Sequence, residues 1–255
     1  MLEDGVPVVS ILGCPNQPVS SNKLIQSDST YGVWSEEEIA EAESQSNDIN
    51  SNIIFSSNRG CFFVAVRDCG CYEISIHDLE LILFGSKDAN DATMWTQLQV
   101  TSHKKSPLKT PSQATFCLGV ERSFSDPKGT VLKVAQLLHG EGALTTDDVP
   151  DIVNSFRMDG QGKYGILARG EAEYFLRLPK PGYVDWVWDV AAGHLILTEA
   201  GGLMTDVSGN HIDFSGIGYD RMAKLPTSVE GLLGSCGGAF HEALVDAYAS
   251  IEKST

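Results

Sequence analysis

From Thr115 onward, short apolar runs alternate with segments of helical periodicity, and this alternation does most to restrict the fold. Strands are predicted near residues 115–120, 152–157, 173–178, 203–206 and 231–235, and helices near 129–139, 160–169, 188–200 and 238–252. Strands and helices in turn build layered α/β structures rather than bundles or all-β sandwiches. Upstream, Val6 to Leu12 reads as a buried strand ended by Gly13-Cys14-Pro15-Asn16. Gly60 to Ile76 reads as a hairpin, with Phe62–Val66 and Tyr72–Ile76 flanking a turn at Asp68 to Cys71. Residues 19–52 are rich in Ser, Asn, Asp and Gln, carry Glu36-Glu37-Glu38, and read as a solvated acidic insert with a short helix near 35–45. Residues 84–112 read as irregular. The expectation is an α/β layered sandwich, divided into residues 1–112 and 113–255.

Net charge narrows the function. At −16, the 255-residue chain has no basic surplus with which to neutralise a nucleic-acid backbone, so nucleic acid is not an expected partner. A local cationic pocket for a small phosphate ligand remains compatible with that balance. No apolar run reaches the roughly 20 residues of a membrane span, so no membrane partner is expected. The start, Met-Leu-Glu-Asp-Gly, is acidic, unlike the basic start of a signal peptide. An intracellular, cytoplasmic protein is the default expectation. The six cysteines, at 14, 61, 69, 71, 117 and 236, include Cys69-Gly70-Cys71 but no CxxC pair. They read as small buried thiols of a reducing compartment.

Three places carry chemistry. Asp189 stands at the start of a helix, between the aromatics Trp186 and Trp188, expected to be buried, and the small residues Ala191, Ala192 and Gly193. An acid there suits the helix dipole without any ligand, whereas the small residues let a backbone or a ligand approach closely. Glu199 lies too far along the same helix to share its site and reads as structural. In Asp159-Gly160-Gln161-Gly162-Lys163-Tyr164-Gly165, glycines open a helix and Lys163 falls in its first turn, an arrangement suited to an anion. Asp159 as a helix cap is the structural alternative. Arg177, inside the apolar strand 173–178, needs either an anionic ligand or a salt-bridge partner.

In chain order these segments resemble one family. Met158 to Gly170, Tyr174 to Pro179, Trp188-Asp189-Val190-Ala191-Ala192-Gly193, Glu199-Ala200-Gly201-Gly202, Thr205-Asp206 and Ile212-Asp213-Phe214 are similar to the inositol monophosphatase superfamily. The nearest branch is the 3'(2'),5'-bisphosphate nucleotidases, and Val6 to Asn16 looks like a family strand ending G-C-P-N. The resemblance covers residues 3–18 and roughly 115–250. It implies the C-terminal lobe of an α-β-α-β-α sandwich with a remnant of the N-terminal lobe's sheet. It also implies a Mg2+-dependent phosphomonoesterase acting on adenosine 3',5'-bisphosphate, its sulfated form or inositol phosphates. By matched position Asp189 would be a metal ligand close to substrate, with Lys163 and Arg177 as substrate-binding residues.

The chain departs from that pattern. The acidic pair on an early helix and the D-P-[IL]-D-G-T segment, which supply the other metal ligands, are missing, and no catalytic base is assigned. Gly160 stands where the pattern has serine, and Phe124 where it has histidine. Two readings follow. One is the C-terminal portion of a bisphosphate nucleotidase (or of an inositol-phosphate phosphatase), inactive alone. The other is a noncatalytic relative that binds a nucleotide or a protein through the surviving half-site. Either leaves an unpaired sheet edge and an uncovered apolar face.

Overall fold

The computed structural model describes residues 1–19, 59–103, 110–120, 126–158, 160–215 and 223–253. In chain order the elements are β1 (Leu2–Glu3), β2 (Val6–Pro7), β3 (Val9–Pro18), β4 (Arg59–Val66), β5 (Gly70–Ser75), α1 (Ile76–Leu83), β6 (Thr96–Gln97), β7 (Phe116–Leu118) and α2 (Thr130–His139). There follow β8 (Ser155–Arg157), α3 (Gly162–Ala168), β9 (Tyr174–Arg177), α4 (Val187–Glu199), β10 (Leu203–Asp206), β11 (Leu232–Ser235) and α5 (Gly238–Glu252). Among the described residues, β1 and β2 pair as a two-stranded sheet and two larger sheets organise the rest. One is antiparallel in the order β3-β4-β5-β6, and the other is mixed, β10-β11-β9-β7-β8, with β7 parallel to both of its neighbours. Helices α3 and α4 pack on each other and touch both sheets, α1 covers the outer face of β4 and β5, and α2 with α5 lies beyond the mixed sheet against β11. The layers therefore run α-β-α-β-α, the sandwich expected from the sequence.

The central position of α4 explains its composition. Val187, Val190, Ala191, Gly193, Leu195, Ile196 and Leu197 are buried around most of its circumference because sheets flank it on two sides. Each large apolar side chain among them contributes roughly 1.5–3 kcal/mol when fully buried. Its end is fixed by backbone geometry. Gly201, at φ +92°, donates to Thr198 O while Gly202 N donates to Leu197 O, the paired bonds of a Schellman cap. Glu199 then reaches sideways, its carboxylate accepting from Asp68 N at 3.0 Å and Gly70 N at 2.9 Å. That ties the β4–β5 turn, in which Asp68 adopts φ +62°, to the central helix. The structural reading of Glu199 holds.

A second tie is buried. The Arg169 guanidinium, just past α3, makes two 2.8 Å bonds to the Glu73 carboxylate on β5 and lies 4.9 Å from the centre of the Phe63 ring. Residues 84–112 include β6 and short 3-10 turns. Helix α1 was not expected. Its signal was Ser75-Ile76-His77-Asp78, whose Ser75 Oγ accepts from Asp78 N at 2.9 Å. The acidic helix expected near 35–45, most of the insert, and Phe124 lie outside the described residues. All six cysteines are free thiols; five are buried and Cys69, in the hairpin turn, is exposed. Burial raises the Cys14 thiol to about 11 and the Cys71 thiol to about 12, so both are poor nucleophiles. No helix among the described residues is long and apolar enough to cross a membrane.

Candidate active site

Three elements end at one place. Arg177 is the last residue of β9, Lys163 is the second of α3, and Asp189 is the third of α4. Together with Gly160, Gln161, Tyr164 and Phe175 they line a single cavity of about 110 Å³. The three residues singled out from the sequence are thus neighbours in space, although 26 positions separate the first from the last.

The small residues of α4 bring this about by letting α3 approach. A Cβ on Gly193 would stand 2.0 Å from the Tyr164 ring, and one on Gly165 would stand 2.4 Å from the Phe63 ring. Beside Gly193 the space is filled by the Tyr164 side-chain ring of α3 rather than by another backbone, while Ala191 and Ala192 line an open groove. Ser10 Oγ on β3 also donates to Ala192 O at 2.7 Å. Tyr164 is 2 % exposed, sets its ring edge against Phe175 at 5.2 Å, and so forms the floor of the cavity.

Each predicted residue has a structural partner as well as a place in the cavity. Lys163 is buried, and its ammonium donates to Gly160 O at 2.7 Å and Met158 O at 3.3 Å. The ammonium expected to join backbone N–H groups in an anion site therefore also organises the loop before its own helix. That loop explains the Gly160 departure. Gly160 sits at φ +67°, where serine would be strained, and no atom lies within 4 Å of the position its Cβ would take. Helix α3 carries no side-chain cap at Gln161. Asp159, the capping alternative, lies outside the described residues.

Arg177 donates from Nε to Asp185 Oδ1 at 2.8 Å, with its terminal nitrogen 2.5 Å from the same oxygen. The salt-bridge alternative is realised, and Arg177 is still among the residues that line the cavity. Asp185 was not singled out in the sequence. Only its residue type could be read there, an acid four residues before Asp189; its pairing with Arg177 depends on the contact of residues 185–187 with 223–225. Asp189 itself has its carboxyl shifted above the usual carboxylate range, mainly by burial, with Arg177 opposing and Asp185 reinforcing the rise. The flanking aromatics differ from expectation. Trp188 is 55 % exposed, bordering an open groove toward Pro7, Val9 and Ile11 rather than packed against them, and Trp186, the N-cap, is half-buried; the two rings stack at 4.5 Å instead.

Beside Asp189 on the other flank, Trp188, Ala191 and Ala192 face Pro7, Val9 and Ile11 across an open apolar groove of about 330 Å³. Among the described residues strand β3 is the edge of its sheet, with Ile11 62 % exposed, and none of them covers the groove.

The donor set does not fit the multi-ion cluster implied by the resemblance. Asp185 is engaged by Arg177, and among the described residues no group of three or more His, Cys, Asp or Glu comes together. Asp189 alone is one carboxylate, whereas Mg2+ takes a near-octahedral oxygen shell and a cluster of such ions needs several acids.

Comparison with known proteins places the chain in a family. A 3'(2'),5'-bisphosphate nucleotidase of Emericella nidulans is 33% identical over 216 residues, 84% of this chain and 48% of the relative. One of Schizosaccharomyces pombe is 28% identical over 252 residues, 98% of this chain and 53% of the relative. The 3',5'-bisphosphate nucleotidase AHL of Arabidopsis thaliana is 30% identical over 264 residues, 100% of this chain and 56% of the relative. The chain thus spans about half the length of the curated relatives it matches. The model of the inositol monophosphatase family matches residues 76–250, which hold Lys163, Arg177 and Asp189, and the chain belongs to that family.

Proposed function

We propose that this chain carries the nucleotide-binding half of a 3'(2'),5'-bisphosphate nucleotidase site, and that it binds adenosine 3',5'-bisphosphate without hydrolysing it alone. The convergence of Lys163, Arg177 and Asp189 on one cavity is the observation that carries this reading. Two cations at the ends of rigid elements suit a phosphate, the arginine as a planar fork and the lysine as a point charge. The apolar floor of Tyr164 and Phe175 excludes water from beneath the ligand. The names of the relatives support a bisphosphate nucleotide as ligand. Hydrolysis also requires an activated water, and among the described residues the cavity brings no second carboxylate beside Asp189 to activate one. The contribution proposed for this chain is to hold and orient the nucleotide.

Calorimetric titration with adenosine 3',5'-bisphosphate tests the binding. Lys163→Ala removes one charge-assisted contact of about 1.5–3 kcal/mol and should weaken binding by roughly 10- to 100-fold. Lys163→Met, which keeps the buried stem, serves as a second variant should the alanine chain lose its fold. Equal affinity for wild type and a folded variant refutes the assignment of Lys163. A phosphate-release assay with Mg2+ tests the second clause: turnover that Asp189→Asn abolishes contradicts the proposed inactivity.

A further inference from the structure

We infer that Asp185 is a positioning residue, holding the Arg177 guanidinium in the one orientation from which it meets a phosphate in the cavity. The inference rests on the proposed reading of that cavity as a phosphate site. Asp185 is 4 % exposed and is not among the residues lining the cavity, so it acts through the arginine rather than on a ligand.

Both ends of the pair are anchored. Arg177 sits in the mixed sheet, paired in register with Leu232. Asp185 belongs to a segment bridged to residues 223–225: Leu225 N donates to Asp185 O at 2.9 Å, Val187 N donates to Ala223 O at 2.7 Å, and Trp186 pairs with Lys224. One carboxylate oxygen lies 2.8 Å from Nε and 2.5 Å from a terminal nitrogen of the arginine, so it turns that edge of the guanidinium toward Asp185 and restrains its swing. The bridged segment continues directly into α4, so it places Asp185 against Arg177 and Asp189 at the cavity four residues later. One short stretch of backbone thereby sets the geometry of the cation and the acid together.

Charge alone and positioning make opposite forecasts. If only charge mattered, Asp185→Asn would remove a carboxylate from beside an anion site and tighten binding. If positioning matters, the same change frees the arginine to sample rotamers and weakens binding. Salt separates the two, since at about 0.5 M the Debye length falls well below 8 Å and the gain from charge is damped.

The test has a ligand-free arm and a ligand arm. In the unliganded chain, the Arg177 Nε–H resonance should exchange slowly with water in wild type and in Asp185→Glu, and merge with the bulk arginine signals in Asp185→Asn. An unchanged Arg177 signal in Asp185→Asn overturns the proposal. With adenosine 3',5'-bisphosphate at about 0.5 M salt, Asp185→Asn should raise Kd roughly 5- to 10-fold and Asp185→Glu should restore it to within about 2-fold. In an Arg177→Ala background the same Asp185→Asn change should not weaken binding further. An equal loss in both backgrounds would mark a structural role only and overturn the proposal. If wild type shows the slow Arg177 proton but binds no bisphosphate, the nucleotide assignment fails, while the exchange data still support Asp185 as the residue that orders Arg177.

Discussion

Gly193→Ala is the substitution that most sharply separates close packing from helix propensity in this fold. Propensity alone favours alanine over glycine inside a helix by about 1 kcal/mol. The structure opposes that gain. The added methyl would stand 2.0 Å from Tyr164 Cδ2, 2.3 Å from Cγ and 2.4 Å from Cε2, so ring and helix must part by roughly 1.5 Å to reach ordinary carbon contact. Tyr164 has little room to yield, being 2 % exposed and edge-on to Phe175 at 5.2 Å. Overpacking of this kind costs up to about 3 kcal/mol, which leaves a net loss of roughly 2 kcal/mol and lowers Tm by about 4–8 °C in a chain of this size. Urea and thermal unfolding followed by circular dichroism would measure it. The loss should shrink in a Tyr164→Leu background, where the ring that blocks the methyl is gone. An alanine variant as stable as wild type, or more so, would refute the claim that Gly193 is present to let α3 and α4 touch.

Two further outcomes follow from buried polar groups. Arg169→Leu leaves the Glu73 carboxylate buried without its bidentate partner and should cost about 3–5 kcal/mol in urea unfolding, whereas Arg169→Met with Glu73→Met should cost clearly less. Burial holds His241 at about 4, helped by His211, while Ser235 Oγ and Thr205 Oγ1 contact its two ring nitrogens. The unfolded chain takes up that proton near 6.5 and the folded chain only near 4, so stability is full above about 6.5 and falls as pH drops towards 4, by about 1.4 kcal/mol per pH unit. His194, likewise held at about 4 by burial, adds to the slope; Asp126, raised to about 6 by burial, opposes it. The difference between wild type and His241→Gln across pH 7 to 4.5 isolates one histidine, and parallel curves would contradict the assignment.

Much of this architecture was legible because each element stands in a strongly patterned environment. Strand β10 and helix α5 fall at the expected residues, the helix because its buried Phe240, Leu244, Ala247 and Ile251 recur at helical spacing. Helix α1 was harder to see. It is only eight residues long and none of them is fully buried, and the Ser75–Asp78 cap marks its start. The site was legible as residue types but not as partners. Arg177 announced that it needed an anion; that the anion is Asp185 depends on the bridge between residues 185–187 and 223–225, a long-range pairing with no local signature. Trp188 was misjudged for a related reason. Its place beside a buried helix suggested burial, but exposure depends on which face the two sheets leave uncovered. Gly160 shows the reverse case, a departure from the family pattern that the left-handed backbone at that position rationalises.

The central claim is that Lys163, Arg177 and Asp189 form one phosphate-binding cavity. A crystal structure of this chain with adenosine 3',5'-bisphosphate tests it most directly. A phosphate oxygen within hydrogen-bond distance of the Arg177 guanidinium, in the cavity floored by Tyr164 and Phe175, is the expected result. A nucleotide seated elsewhere, or an empty cavity at a ligand concentration that saturates binding in solution, would contradict it.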